Sequence, residues 1–270
     1  MRGNTLNNYI NKYKFTIITV CMNAAEYIEQ TIQSLLCQTY QNYEYIIKDG
    51  NSTDDTRAII DSLVSECENI HIISSKDKGL YDAMNQGVDM AKGEYIYFLN
   101  AGDCFADENV LMRISESIEA YEADMVYGNV IQIAGDKRCI RKYGKICKKK
   151  FFFLSGDCIC HQALFAKRDL FVKKNFDLQY KVCADKDWEL FHIFNHATLH
   201  NINYQIATIL VDGFAKNHVK DFEKETHMCI KKYYKWTAWI YEMVMIMKKN
   251  QIALYCFRWV EKTFFKSKMR

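Results

Sequence analysis

Proline is absent from all 270 residues. No cis-proline switch can operate in such a chain, and its tight turns fall to Gly, Asn and Asp. A disulfide framework is missing too. The eleven cysteines are odd in number, form no Cys-x-x-Cys pair, and come closest in sequence at Cys158 and Cys160. Cys37, Cys183 and Cys256 sit in apolar segments, where cysteine packs as a small hydrophobe. The expectation is a reducing, cytosolic compartment with free thiols and no zinc site. The opening MRGNTLNNYINKYK is polar and lacks the pattern of a secretory signal. Internal repeats and low-complexity linkers are also absent.

About half of the residues are apolar (49%), enough to bury the core of one large domain with an appendage. The net charge of +3 conceals an asymmetry. Residues 216–270 hold 13 Lys/Arg against 5 Asp/Glu, so the tail carries +8 and the remainder −5. A basic, aromatic tail on a mildly acidic body suits an anionic surface, either membrane or nucleic acid.

Along the chain, β-branched runs alternate with helical periodicity. Strands are expected at 15–20, 45–48, 70–74 and 94–99, with helices at 24–37, 54–66 and 80–91 between them. This alternation predicts a mostly parallel sheet covered on both faces. The second half is less regular: a helix at 107–121, a strand at 124–128, a hairpin of 130–133 with 139–143, helices at 167–173 and 184–196, and a strand at 204–211.

Ligands of open α/β sheets bind beyond the carboxyl ends of the strands. Two strands here end on acidic tips. Tyr45-Ile46-Ile47-Lys48 leads to Asp49-Gly50-Asn51-Ser52-Thr53-Asp54, and the strand ending at Leu99 leads to Asn100-Ala101-Gly102-Asp103. Together they suggest a site for a nucleotide and a metal. The loop Asp77-Lys78-Gly79-Leu80-Tyr81-Asp82 offers a point charge for a diphosphate, although acidic residues also suit a helix start. Asp185 and Asp187 open a helix two residues apart, so only one of them can readily face a given cleft.

Four blocks carry a resemblance in order and spacing: TIITVCMNAAEYIEQTIQSLLCQTYQNYEYIIKDGNSTDDT, DKGLYDAMNQGVDMAKGEYIYFLNAGD, HQALFAKRDLF and CADKDWEL. Over residues 14–215 the chain resembles family 2 glycosyltransferases that build bacterial surface polysaccharides. The resemblance implies a GT-A (nucleotide-diphospho-sugar transferase) fold over 14–215, with a basic, amphipathic helical C-terminal extension over 216–270. It implies an inverting glycosyltransferase that takes a nucleotide-diphosphate sugar, by family habit a UDP-sugar, to a hydroxyl of a lipid-linked oligosaccharide or polysaccharide.

It also implies roles. Thr19, Asn23, Asp49, Asp77, Lys78 and Asp82 would line the donor, with Asn100 a further contact and His161 on the acceptor side. Asp103 would hold Mn²⁺ or Mg²⁺, with His218 approaching from a late loop. Asp185 or Asp187 would be the catalytic base, Asp185 the better match. One departure stands out. The wider family places an Asp-x-Asp pair where this chain has Asn100 and Gly102, leaving Asp103 as the sole carboxylate. One carboxylate plus substrate phosphates can still hold a hard cation.

In the tail, Trp236, Ile240, Met243 and Met247 fall on one helical stripe, in an apolar stretch too short to span a bilayer. The expectation is an interfacial helix at the inner face of the membrane, against the alternative of a helix packed on the domain or on a second subunit. Two rivals accompany the transferase: a non-catalytic nucleotide-sugar-binding relative, and a nucleic-acid binder using the basic tail. No recognition motif supports the second, and no nucleic acid is expected.

Overall fold

The computed structural model describes residues 12–65, 67–143, 158–210, 218–235 and 238–249. Its first half is a βα alternation. β1 (Tyr13–Cys21), β2 (Tyr43–Asp49), β3 (Ile70–Ser74) and β4 (Gly93–Phe98) are joined through α1 (Ile28–Leu36), α2 (Thr56–Val64) and α3 (Leu80–Met90). These strands lie in the order β3-β2-β1-β4, every pair parallel. Being covered, β2 is buried at all seven positions, which is why it reads as an apolar run rather than an alternation. The helices turn apolar stripes inward, α1 through Ile28, Ile32 and Leu35, α3 through Met84 and Val88.

Beyond β4 the sheet continues through β8 (Leu164–Lys167), β6 (Met125–Ala134), β9 (Leu199–Leu210) and β5 (Cys104–Phe105), with β7 (Lys137–Arg141) on β6. β8 pairs antiparallel with both β4 and β6, while β6 and β9 are parallel. The expected 130–133/139–143 hairpin is present, turning between Ala134 and Lys137. The strand expected at 124–128 is continuous with its first arm as a single β6, whose pairing with β9 is irregular beside Gly128. A Cβ on Gly128 would lie 2.4 Å from the carbonyl oxygen of Tyr204, so only glycine lets the two backbones approach there. β9 starts at Leu199, five residues before the expected strand.

α4 (Val110–Tyr121), α5 (Arg168–Lys173) and α6 (Ala184–Phe194) complete the domain. The described part of the C-terminal region packs on it. α7 (Val219–Tyr233) packs along α6, and α8 (Ala238–Lys249) folds back with Ala238 and Tyr241 buried. The boundary read at 216 lies outside the described residues. No helix among the described residues is long and apolar enough to cross a membrane.

Candidate active site

The strand order changes direction about β1, which has β2 on one side and β4 on the other. The crevice beyond the carboxyl ends of these strands is where such a sheet offers a ligand site. Asp49 ends β2, Asn23 follows β1, Asp77 follows β3, and Asn100 to Asp103 follow β4.

The loops that follow β1, β2 and β3 hold one another. Asp49 is buried and accepts bonds from the Ser52 N–H (3.1 Å) and hydroxyl (2.5 Å). Exposed Asn23, in the left-handed region at φ 50°, accepts from the Thr53 N–H at 2.8 Å. Asp77 accepts from the Gly79 N–H at 3.0 Å and pairs at 3.1 Å with Lys48, a fully buried lysine that also donates to the carbonyls of Asp49 and Ser75. Asp82 accepts from the Lys78 N–H at 2.8 Å and so closes the start of α3, while the Lys78 side chain is exposed.

Thr19 is placed differently from the expectation. It lies wholly inside the sheet, donating to the Leu99 carbonyl at 2.5 Å and accepting from the Tyr45 hydroxyl at 2.7 Å. A polar residue in a strand covered on both sides must bond inward, so its side chain ties β1 to the end of β4 and has no surface for a ligand.

A second cluster is assembled from four elements. A 3₁₀ turn at His161–Ala163 is pinned by the Tyr97 hydroxyl, which donates to the Gln162 carbonyl at 2.8 Å. From that turn, His161 Nε2 stands 3.0 Å from Asn100 Nδ2, and Nδ1 stands 3.4 Å from Asp185 Oδ2. With the amide donating to Nε2, Nδ1 carries the hydrogen and donates to the carboxylate. The Tyr81 hydroxyl, from α3, donates to the other Asp185 oxygen at 3.1 Å. Burial pushes the Asp185 carboxyl up, but the bonds from His161, the Lys186 N–H and Tyr81 outweigh it and hold Asp185 below the usual carboxylate value.

Asp187 turns the other way, as the spacing of two on a helix requires. It is fully buried, clamped between Lys174 and Lys232, the latter at 2.8 Å. His218 stands just before α7, accepting the Phe222 N–H through its carbonyl, and the loop 211–217 leading to it lies outside the described residues.

Asp103 is buried and accepts from Gln162 Nε2 at 3.1 Å. Desolvation pushes its pKa up to about 6, against the lowering influence of His161 and Gln162. On the same loop, the buried Asn100 Oδ1 has no hydrogen-bond partner. An under-compensated carboxylate and an orphaned amide oxygen make a hard-oxygen donor set that fits Mg²⁺ or Mn²⁺. Among the described residues no three His, Cys, Asp or Glu side chains gather into a cage, so such a site would be open and completed by other oxygens. At the second of the two family positions the backbone disfavours a carboxylate. Gly102 sits at φ 96°, where a side chain is strained.

The fold and this loop order can be set beside known proteins. The sequence profile of glycosyl transferase family 2 matches residues 16–171. The chain belongs to that family. It is 35% identical over 179 residues to PGL/p-HBAD biosynthesis glycosyltransferases of Mycobacterium bovis and Mycobacterium tuberculosis, covering 65% of this chain and 68% of theirs. Glycosyltransferase GlyG of Streptococcus pneumoniae is 27% identical over 150 residues, and the chain spans 46% of its length.

Among solved structures, S. aureus TarS in complex with UDP-GlcNAc superposes with a TM-score of 0.67 at 14% identity, covering 95% of this chain and 76% of that one. The mannosyltransferase PcManGT of Pyrobaculum calidifontis, in complex with GDP-Man and Mn²⁺, gives 0.61 at 13%, covering 93% and 80%. These likenesses establish the GT-A fold, and family 2 membership makes the chain a glycosyltransferase.

Reading the sequence missed Lys48, Tyr81 and Gln162. Lys48 left a signal, since a lysine ending a buried apolar strand must find anionic partners. Tyr81 and Gln162 sat beside named residues without being distinguished from them.

Proposed function

We propose that the protein is an inverting transferase that moves a sugar from a nucleotide-diphosphate donor, a UDP-sugar, to a hydroxyl of a lipid-linked saccharide. The observation that carries this reading is the Asp185 carboxylate. It is kept ionised by three hydrogen bonds and shares an imidazole with the Asn100–Asp103 loop. An ionised carboxylate at that position can take the proton of an acceptor hydroxyl as its oxygen attacks the anomeric carbon. The nucleotide departs from the opposite face, so the configuration inverts.

Asn23, Asp49, Asp77, Lys78 and Asp82 bound the donor side of the crevice, and Asn100 and Asp103 face the diphosphate. A divalent cation held there by Asp103 and Asn100 Oδ1 would supply neutralisation of charge on the leaving diphosphate. UDP is favoured because TarS, which shares the fold over nearly the whole chain, is solved with UDP and with UDP-GlcNAc.

The acceptor assignment draws on the tail. On α8, Trp239, Met243 and Ile246 are exposed at a spacing of four and three, one apolar stripe beside a basic segment. That stripe differs from the one read in sequence. Met243 is common to both, Trp236 lies outside the described residues, and the neighbouring Ala238 and Tyr241 turn inward. The arrangement suits peripheral contact with anionic lipid at the inner face of the membrane, where a lipid-linked acceptor resides.

Calorimetry with UDP, GDP and dTDP, each with Mn²⁺ and with EDTA, tests the donor side. Cation-dependent binding of UDP supports the reading. Absence of binding by all three nucleotides would refute it.

A further inference from the structure

We infer that Glu225, on the C-terminal helix α7, is a positioning residue for Asp185, acting through the amino end of α6. The inference rests on the reading of Asp185 as the base.

α6 begins at Ala184 with no cap from its own N-cap side chain, Cys183. Helix starts leave N–H groups without intrahelical partners, and a side-chain acceptor normally satisfies some of them. Here a carboxylate 42 residues downstream of the N-cap takes that residue's own N–H and the two before it, so it holds the lead-in to the helix and not the amides of its first turn. The buried Glu225 carboxylate accepts the N–H groups of Lys181 (2.9 Å), Val182 (2.9 Å) and Cys183 (3.0 Å) in succession. Three charge-assisted bonds to consecutive amides fix the path by which the chain enters α6.

The same helix holds α6 on either side of Asp185. Lys186 is buried, donates to the Thr226 hydroxyl at 2.7 Å and lies over the Phe222 ring at 4.5 Å. Lys232 pairs with Asp187, and the Tyr233 hydroxyl donates to the Asp187 carbonyl at 3.1 Å. Residues 181, 182, 183, 186 and 187 are thus tied to α7, and Asp185 alone of this run points to His161 and Tyr81. α7 sets where the first turn sits, and so where the carboxylate meets an acceptor. A base displaced by a fraction of an ångström loses rate without losing donor affinity, because the donor lies against other loops.

The test uses the full-length chain with Glu225→Gln, which keeps the volume but replaces an acceptor oxygen by a donor. A second variant, Thr226→Val, removes the bond to Lys186 and the contact with the Cys183 thiol while leaving Glu225 in place. The expected result for Glu225→Gln is a kcat for sugar transfer lowered about tenfold to a hundredfold, the scale of a misplaced reacting group. Donor affinity by calorimetry is unchanged. Amides 181–186 exchange faster, and the acid limb of the kcat profile moves to higher pH as Asp185 loses its Lys186 N–H. Thr226→Val moves the same readouts less. Unchanged kcat in both folded variants would overturn the positioning role, as would kcat and donor affinity falling in step. Absence of transfer by the unmodified chain, with Asp185→Asn indistinguishable from it, would overturn the reading of the site and this inference with it.

Discussion

The imidazole of His161 stands between Asp185 and Asn100, 3.4 Å from the carboxylate and 3.0 Å from the amide. One ring therefore links the proposed base to the loop proposed for the diphosphate, and fixes the distance between attack and departure. Asp185→Asn keeps the shape but cannot accept a proton, and kcat should fall by about 10²–10⁴-fold with donor affinity retained. Steady-state kinetics beside calorimetry separates the two. Equal losses in both would assign Asp185 to binding.

The His161 bond is the largest influence lowering Asp185. Its folded pKa is depressed, so the base remains ionised below the ordinary carboxylate range and activity is lost only as pH falls through that lower value. His161→Phe removes the bond, so the acid limb of kcat should move to higher pH. A limb that stays in place would show that His161 does not tune the base.

Asp103 gives a pH dependence of opposite sign. Its folded pKa of about 6 lies above the ordinary 3.8, so the folded protein holds the proton more tightly than the unfolded chain. Without cation, stability should rise as pH falls from above 6 toward 4. The ionised form costs about 3 kcal/mol at pH 8. Asp103→Asn should therefore melt several degrees higher than wild type at pH 8, the gap closing by about pH 4. Mn²⁺ should raise the melting temperature of wild type at pH 8 and not that of the variant. A variant less stable than wild type at pH 8 would contradict the account.

Gly102→Asp puts a carboxylate at the second position of the family pair, next to Asp103, but places a side chain at φ 96°. The strain should cost roughly 1–3 kcal/mol in denaturant unfolding. Tighter Mn²⁺ binding at undiminished stability would show that the backbone does not exclude the second carboxylate.

Trp239, Met243 and Ile246 face outward from α8. Replacing all three by Gln should abolish co-sedimentation with vesicles rich in anionic lipid and leave donor binding intact. Wild-type binding should weaken as salt rises. Co-sedimentation unchanged by the substitutions would remove the stripe from the account.

The parallel half of the sheet was legible because each β-α unit is local, its apolar run followed at once by a helical stripe. The half beyond β4 was not. β8 inserts between β4 and β6, and the close approach of Gly128 to Tyr204 follows no local pattern. In the site, the strand-end residues Asp49, Asn100 and Asp103 were readable from polar tips on buried runs. Thr19 was named from its family position, and its inward bonding follows from its setting in a strand covered on both sides. The spacing of Asp185 and Asp187 showed that one must turn away. Which one depends on Lys174 and Lys232, far apart in sequence. The hold of Glu225 on the lead-in to α6 was invisible, because the change in charge at 216 read as a boundary.

The most direct test is nucleotide release from UDP-sugars in the presence of a lipid-linked acceptor, with Mn²⁺, Mg²⁺ or EDTA. Wild type, Asp103→Ala and Asp185→Asn would run side by side. The account predicts cation-dependent release of UDP by wild type, with a glycosidic product of inverted anomeric configuration, and loss of release in both variants. Retained configuration, or release undiminished in Asp185→Asn, would contradict it.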